Sequence, residues 1–183
     1  MKVILETDRL AIAEFTPEMA RDVYENSLDE DNRRFVPDEV FETVGEAESA
    51  VTFLMAQYGR TDGPLAYPVF TRDGWTNVGY VQLVPIGGGR WEIGYHIAKK
   101  HTGSGYATEA VSAFLPAMAK AVGIEEIHGI CLSDNTASRR VLLKCGFVPV
   151  FEGVGDYQGE EREIFQGVWH RSTQKAGLSA PTA

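Results

Sequence analysis

The residues best suited to chemistry lie in one stretch, Trp91 to Ala110. An apolar strand, Trp91 to Ala98, runs into Lys100-His101-Thr102-Gly103-Ser104-Gly105, and a helix opens near Ser104 with Tyr106 and Ala107 in its first turn. A strand, a glycine turn and a helix start can point several backbone N–H groups and a helix dipole at a phosphate. Gly103 and Gly105 let the backbone approach closely. An ordinary tight strand-to-helix turn would need no more than this, so the context has to decide. Lys99, Lys100, Arg139, Arg140 and Lys144 concentrate positive charge in two short stretches, one at this turn and one after a second helix start at Ser133-Asp134-Asn135. An anion site is therefore compatible with an acidic chain.

Composition narrows the setting. The 183 residues suit one domain, and 44% hydrophobic with 23% charged residues is an ordinary globular balance. The formal charge of −9 argues against a nucleic-acid footprint over the whole surface. No apolar run reaches bilayer length, so no membrane role is expected. Met1 to Leu10 already carries Lys2, Glu6, Asp8 and Arg9, which shows no signal peptide and makes the cytoplasm the expected location. Cys131 and Cys145 read as buried small hydrophobes. The four histidines have no metal-ligand spacing, so no metal is expected.

The elements that must hold this stretch follow from periodicity. Arg9 to Phe15 alternates as a strand, and Thr16-Pro17 opens a helix to about Ser27. Asp29 to Phe41 has no clean period and reads as an irregular loop with a helical turn. Thr43-Val44-Gly45-Glu46 fits a capping box before a helix along Ala47, Ala50, Val51, Leu54 and Tyr58. Leu65 to Thr71 and Trp75 to Val84 form strands around an Asp73-Gly74 turn. A helix spans Tyr106 to Val122, with a kink expected at Pro116. Ile127 to Leu132 reads as a strand buried on both faces, and Thr136 to Cys145 as a capped helix ending at Gly146. Phe147 to Val154 and Glu163 to Trp169 read as a last strand pair.

At Lys100 to Ala107 the sequence resembles the acetyl-CoA pyrophosphate loop of the GNAT N-acetyltransferase superfamily. Tyr106-Ala107-Thr108-Glu109-Ala110 looks like its RimJ/RimL-like subgroup. Glu6-Thr7-Asp8-Arg9-Leu10 resembles that subgroup's opening strand. Asn135-Thr136-Ala137-Ser138 with Lys144-Cys145-Gly146-Phe147 resembles its second CoA-binding helix. The three motifs keep the family's order over roughly residues 6 to 169. Lys100 departs mildly from the usual Arg or Gln. The resemblance implies an α/β (α+β) fold: one domain over residues 1–171, with a mixed sheet of about seven strands flanked by about four helices and a splayed strand pair. The polar tail, 172–183, is expected to be disordered.

The resemblance also implies roles. Acetyl-CoA would be the co-substrate. The N–H groups of residues 101 to 107 would wrap its pyrophosphate. Backbone groups of Ile97 and Ala98 would pair with its pantetheine arm, and the strand's N–H groups would stabilise an oxyanion. Glu92 is either a base for the acceptor amine or a solvent-facing strand residue. Asn135 and Ser138 would contact CoA, with Asn135 also a plain helix cap. Ser138 is the nearest proton donor, because Leu142 stands where many relatives carry a tyrosine acid. Phe35, Trp75 and Tyr157 are candidates for the acceptor wall. The many acids between Glu25 and Glu48 would draw a cationic acceptor or simply form a solvated surface. The expected reaction is acetyl transfer to a primary amine, on a protein N-terminus or a small molecule, with a homodimer left open. The rivals are a non-catalytic CoA-binding module and a transferase that uses a larger acyl-CoA such as succinyl-CoA.

Overall fold

The computed structural model describes residues 1–171; the expectation for 172–183 lies outside the described residues. The strands are β1 (Val3–Glu6), β2 (Leu10–Ala13), β3 (Leu65–Thr71), β4 (Asn77–Pro85), β5 (Trp91–Ile97), β6 (Glu126–Leu132), β7 (Val148–Tyr157) and β8 (Glu160–His170). The α-helices are α1 (Ala20–Ser27), α2 (Glu30–Phe35), α3 (Val44–Met55), α4 (Tyr106–Val122) and α5 (Thr136–Lys144). The strands form one mixed sheet in the order β1-β2-β3-β4-β5-β6-β8-β7. Only β5 and β6 pair parallel, the other neighbours antiparallel.

Alternation along the central strands gives the sheet two buried faces. Tyr67 and Val69 of β3, Val81 and Leu83 of β4 and Trp91 and Ile93 of β5 pack with Ala110, Val111, Phe114 and Leu115 of α4. Ala66 and Phe70, from the other face of β3, pack with Met19, Ala20, Ala47 and Val51 of the α1–α3 layer. The odd residues of β5 therefore face α4, and the even ones, Glu92, Gly94 and His96, face the opposite layer.

The expected α/β fold stands, with two additions. A short strand, β1, extends the β2 edge, and residues 29–41 hold a helix and a 3₁₀ turn, Pro37–Glu39. Helix α2 lacks an apolar stripe because Arg33 and Arg34 face solvent, so periodicity could not show it. Its start is a side-chain cap, with Asp29 accepting from Asn32 N–H at 2.9 Å. At α3, Thr43 accepts from Glu46 N–H at 3.2 Å, but Glu46 accepts from Glu42 N–H at 2.8 Å rather than from Thr43. Trp75 belongs to the β3–β4 turn with φ 49°, and β4 begins two residues later. Helix α4 continues through Pro116 and ends on Gly123 at φ 80°. The last hairpin is longer than expected, because its turn is Gln158-Gly159 with φ 56° and 83° and its ends are charged.

Candidate active site

The central feature is an opening between β5 and β6. Register is unbroken from Gly79↔Ile97 to Pro85↔Trp91, and Ala98 N–H reaches Val78 O at 2.9 Å. In antiparallel pairing, that places the backbone groups of even β5 residues on β4 and those of odd residues on the β6 side. A single bridge, Glu92↔His128, joins β5 to β6. Beyond it the strands part, and the N–H and C=O groups of Tyr95 and Ile97 face the gap instead of a partner strand. Of the two expected backbone candidates, Ile97 turns its groups to the gap. Ala98 does not: its N–H is committed to Val78, and its carbonyl accepts from His101 N–H at 2.7 Å. Tyr95 is the second residue that faces the gap.

The turn after β5 differs in detail from the expected one. His101 N–H and Thr102 N–H (to Lys99 O, 3.2 Å) close a 3₁₀ turn, Lys99–His101, so neither is available to a phosphate. Gly103 and Gly105 both adopt left-handed conformations, φ 80° and 81°, which a side chain would strain. The backbone donors from Gly103 to Thr108 have no partner among the described residues, and those of Tyr106, Ala107 and Thr108 are the orphan donors of the α4 start. The run of free donors is thus 103–108, which begins two residues and ends one residue later than the expected 101–107.

Sequence reading gave no role to the side chains that brace this turn. Arg9 donates to Glu109 Oε2 at 2.7 Å through Nε and to Ser104 O at 3.0 Å through Nη1, and it lies 4.9 Å over the Tyr106 ring. Thr7 donates to Glu109 Oε1 at 2.5 Å. Burial acts to raise the Glu109 carboxyl, but hydrogen bonds from Thr7 and Arg9 outweigh it and leave it lowered. The Glu6–Leu10 motif is therefore a clamp on the glycine turn, about a hundred residues away in sequence.

A cleft of about 1450 Å³ runs along the gap. It is lined by Glu92, Ile97, His101, Thr102, Gly103, Gly105, Tyr106, Ala107, Asn135 and Ser138, all expected at a cofactor or catalytic position. Ala98, Lys100 and Ser104 do not line it. Lys100 sits on the outer side of the 3₁₀ turn, and the Ser104 carbonyl holds Arg9. His101 Nε2 is buried without a partner among the described residues. Lys99 pairs with Asp31 and Arg139 with Glu152, whereas Arg140 and Lys144 line the cleft without an ion-pair partner among the described residues. Asn135 both caps α5, accepting from Ser138 N–H at 3.0 Å, and lines the cleft.

Two hydroxyls meet on the α4–α5 side of the gap. Tyr95 Oη lies 2.8 Å from Ser138 Oγ and donates to Ser138 O at 3.0 Å. Burial raises the Tyr95 phenol strongly, so it holds its proton. With the Tyr95 proton on the carbonyl, the Ser138 proton is left for the phenol oxygen, the Cys131 sulfur or the cleft. Leu142 is 1% exposed and points into the core, so a proton donor at that position is neither present nor replaced in place. Burial pushes the Cys131 thiol up to about 11, in keeping with an inert core residue.

The opposite face carries acids. Burial pushes the Glu92 carboxyl up to about 7. Burial, with help from Asp38 and Glu92, does the same to Glu39, also to about 7. Glu39 was one acid among many in the sequence, and only the fold sets it apart. His96 lies 3.4 Å from Asp29, and its burial outweighs that carboxylate and lowers it. Phe35 and Tyr157 line the cleft, and Tyr157 donates to Phe35 O at 2.8 Å. Trp75 does not line it; its ring is 47% exposed in the hairpin turn, 6.3 Å from Phe70. Among the described residues, no group of acids, histidines and cysteines could hold a metal, and no helix is long and apolar enough to cross a membrane.

An acid-lined face, a parted strand pair and a run of free N–H groups define an acyl-transfer domain with room for a phosphate-bearing carrier. The comparisons agree. Residues 9–148 match the family model described as the acetyltransferase (GNAT) domain. The chain is 30% identical over 146 residues to YoaA, an uncharacterised N-acetyltransferase of Bacillus subtilis, covering 79% of this chain and 82% of that one. The chain belongs to the GNAT family, as an acyl-CoA-dependent N-acetyltransferase whose co-substrate is acetyl-CoA. Its fold is also that of a GNAT-family acetyltransferase from Bacillus anthracis, with TM-score 0.79, 24% identity and coverage of 94% and 99%. RimL, the ribosomal L7/L12 alpha-N-protein acetyltransferase solved with coenzyme A, superposes with TM-score 0.78 at 16% identity, covering 92% and 98%.

Proposed function

We propose that the protein transfers acetyl from acetyl-CoA to a cationic primary amine, by direct attack within a complex that holds both substrates. The observation that carries this is the position of Glu92. Its buried carboxyl, raised to about 7, stands on one face of β5 at the parting of the strands, and the Tyr95–Ser138 hydroxyl pair stands on the other. An amine reaching the gap from the acidic face meets a base poised near neutral pH.

Acetyl-CoA, when bound, supplies an acyl thioester. The N–H groups from Gly103 to Thr108, with Arg140 and Lys144, would hold the phosphates. The free N–H groups of Tyr95 and Ile97 would align the pantetheine arm and donate to the acyl oxygen. Glu92, directly or through water, would take one proton from the ammonium. The neutral amine would then attack the acyl carbon, the C–N bond forming and the C–S bond breaking, while the second nitrogen proton passes through Ser138, backed by Tyr95, to the departing sulfur.

The acceptor is a protein N-terminus or a small amine. The likeness to RimL, named as an alpha-N-protein acetyltransferase, supports the first. Thiol release from acetyl-CoA across a panel of peptides and small amines tests the reading. Release with at least one primary amine, lost in Glu92→Gln, is the expected result. Binding of acetyl-CoA without acetylation of any amine would overturn it. Faster turnover of succinyl-CoA would reassign the acyl group.

A further inference from the structure

Glu39 holds a position that the transfer chemistry leaves unused. It ends the 3₁₀ turn Pro37–Glu39 and lines the cleft. Its Oε1 accepts from Gln82 Nε2 at 2.6 Å. Its Oε2 is buried with no partner, and no lysine or arginine among the described residues contacts it. An unpaired buried carboxylate oxygen is costly and calls for a donor.

The arrangement is built in. Gln82 stands opposite Gly94 in the β4–β5 register. A Cβ at Gly94 would lie 2.7 Å from Gln82 Nε2 and 2.8 Å from its Cγ. The glycine therefore leaves the slot through which Gln82 reaches Glu39. Glu92 is the diagonal neighbour of Gln82 on the same face, about 7–8 Å away by sheet geometry. Two carboxylates thus look into one cleft: Glu92 at the strand gap, and Glu39 fixed further along the acceptor side.

We propose that Glu39 is a specificity-determining residue, whose free Oε2 takes the second cationic group of an acceptor that carries two while the reacting amine stands at Glu92. The preferred acceptor is then a compact diamine or an amine with a second ammonium close by. Gln82 anchors the carboxylate through Oε1 and leaves Oε2 unpaired. This rests on the amine-acceptor reading given above.

The test uses two acceptors that differ only in the second cation, lysine amide and norleucine amide. Their affinities for the CoA-loaded protein are measured by calorimetry. The wild type should bind lysine amide roughly tenfold to a hundredfold more tightly, as expected for a hydrogen bond to a charged group. Glu39→Gln, which keeps the shape and can still accept from Gln82, should bring that ratio close to one. Glu39→Asp, which keeps the charge, should retain part of it. Equal affinities in the wild type, or an unchanged ratio in Glu39→Gln, would overturn the proposal. Because binding is read without turnover, a ratio that depends on Glu39 in a protein that releases no thiol with any amine would sink the transferase reading and leave the Glu39 contact standing.

Discussion

Replacing Glu92 by glutamine should harm catalysis and help the fold, and the two effects have one cause. The Glu92 carboxyl sits near 7 instead of the ordinary 4.5 because it is buried without a cation beside it. The folded-state value lies above the unfolded one, so proton binding between the two favours the fold. That contribution is lost as pH rises through about 7. At 1.36 kcal/mol per pH unit, carrying the charge at about pH 8 costs up to about 3 kcal/mol, and nearer 1 once partial solvation is allowed for. Glu92→Gln should therefore melt several degrees higher than wild type at about pH 8, with the gap closing toward about pH 5. Its kcat/KM should fall by about a hundredfold or more, the usual worth of a general base. The wild-type profile should rise with pH through about 7, and the variant should lack that limb. Thermal melts at two pH values and thiol-release kinetics across pH read both effects. A loss below about tenfold with the acid limb unmoved would refute the base assignment, and equal melting at both pH values would refute the burial argument beneath it.

Other substitutions probe the rest of the site. Gly103→Val places a side chain at φ 80°, and CoA affinity measured by calorimetry should drop at least tenfold; unchanged affinity would sink the phosphate-loop assignment. Arg9→Ala removes the brace on Ser104 and Glu109, so CoA should bind about tenfold more weakly although Arg9 does not line the cleft. Ser138→Ala and Tyr95→Phe should each lower kcat more than they raise the KM for acetyl-CoA; a double variant no worse than either single one would show that the hydroxyls act as a pair. Thr43→Ala should cost about 1 kcal/mol in denaturant unfolding, the value of an N-cap, with kinetics unchanged.

The legible parts of the chain were those where local rules decide. Glycines that need left-handed backbone, Thr43 at a helix start and short apolar runs in β3 to β6 express their structure within a few positions. That is why the glycine turn, the central strands and helices α3 to α5 could be read directly. Helix α2 was obscure because it is short and charged and takes its order from the Asp29 cap and contacts to β5. Tyr95, to which the sequence assigned nothing, faces the gap where Ala98 was expected, because pairing phase, set by the β4 register, decides which residue turns its amide to the gap. The run of free donors begins at Gly103 because a 3₁₀ turn took up the first two.

By itself the sequence determined a glycine turn and a capped helix after it, since each depends on residue type at fixed local spacing, while the acyl-CoA chemistry was implied by the resemblance its motifs carry. Tertiary structure decided which acids matter. Nothing in the sequence distinguishes Glu39 from the other acids of an acidic chain, and for Glu92 it left a base and a solvent-facing strand residue both open. The two differ because the sheet buries them on one face, opposite Tyr95 and Ser138, and a carboxyl denied water holds its proton to near neutral pH. Burial and cross-strand phase are properties of packing between distant segments, and no local pattern encodes them.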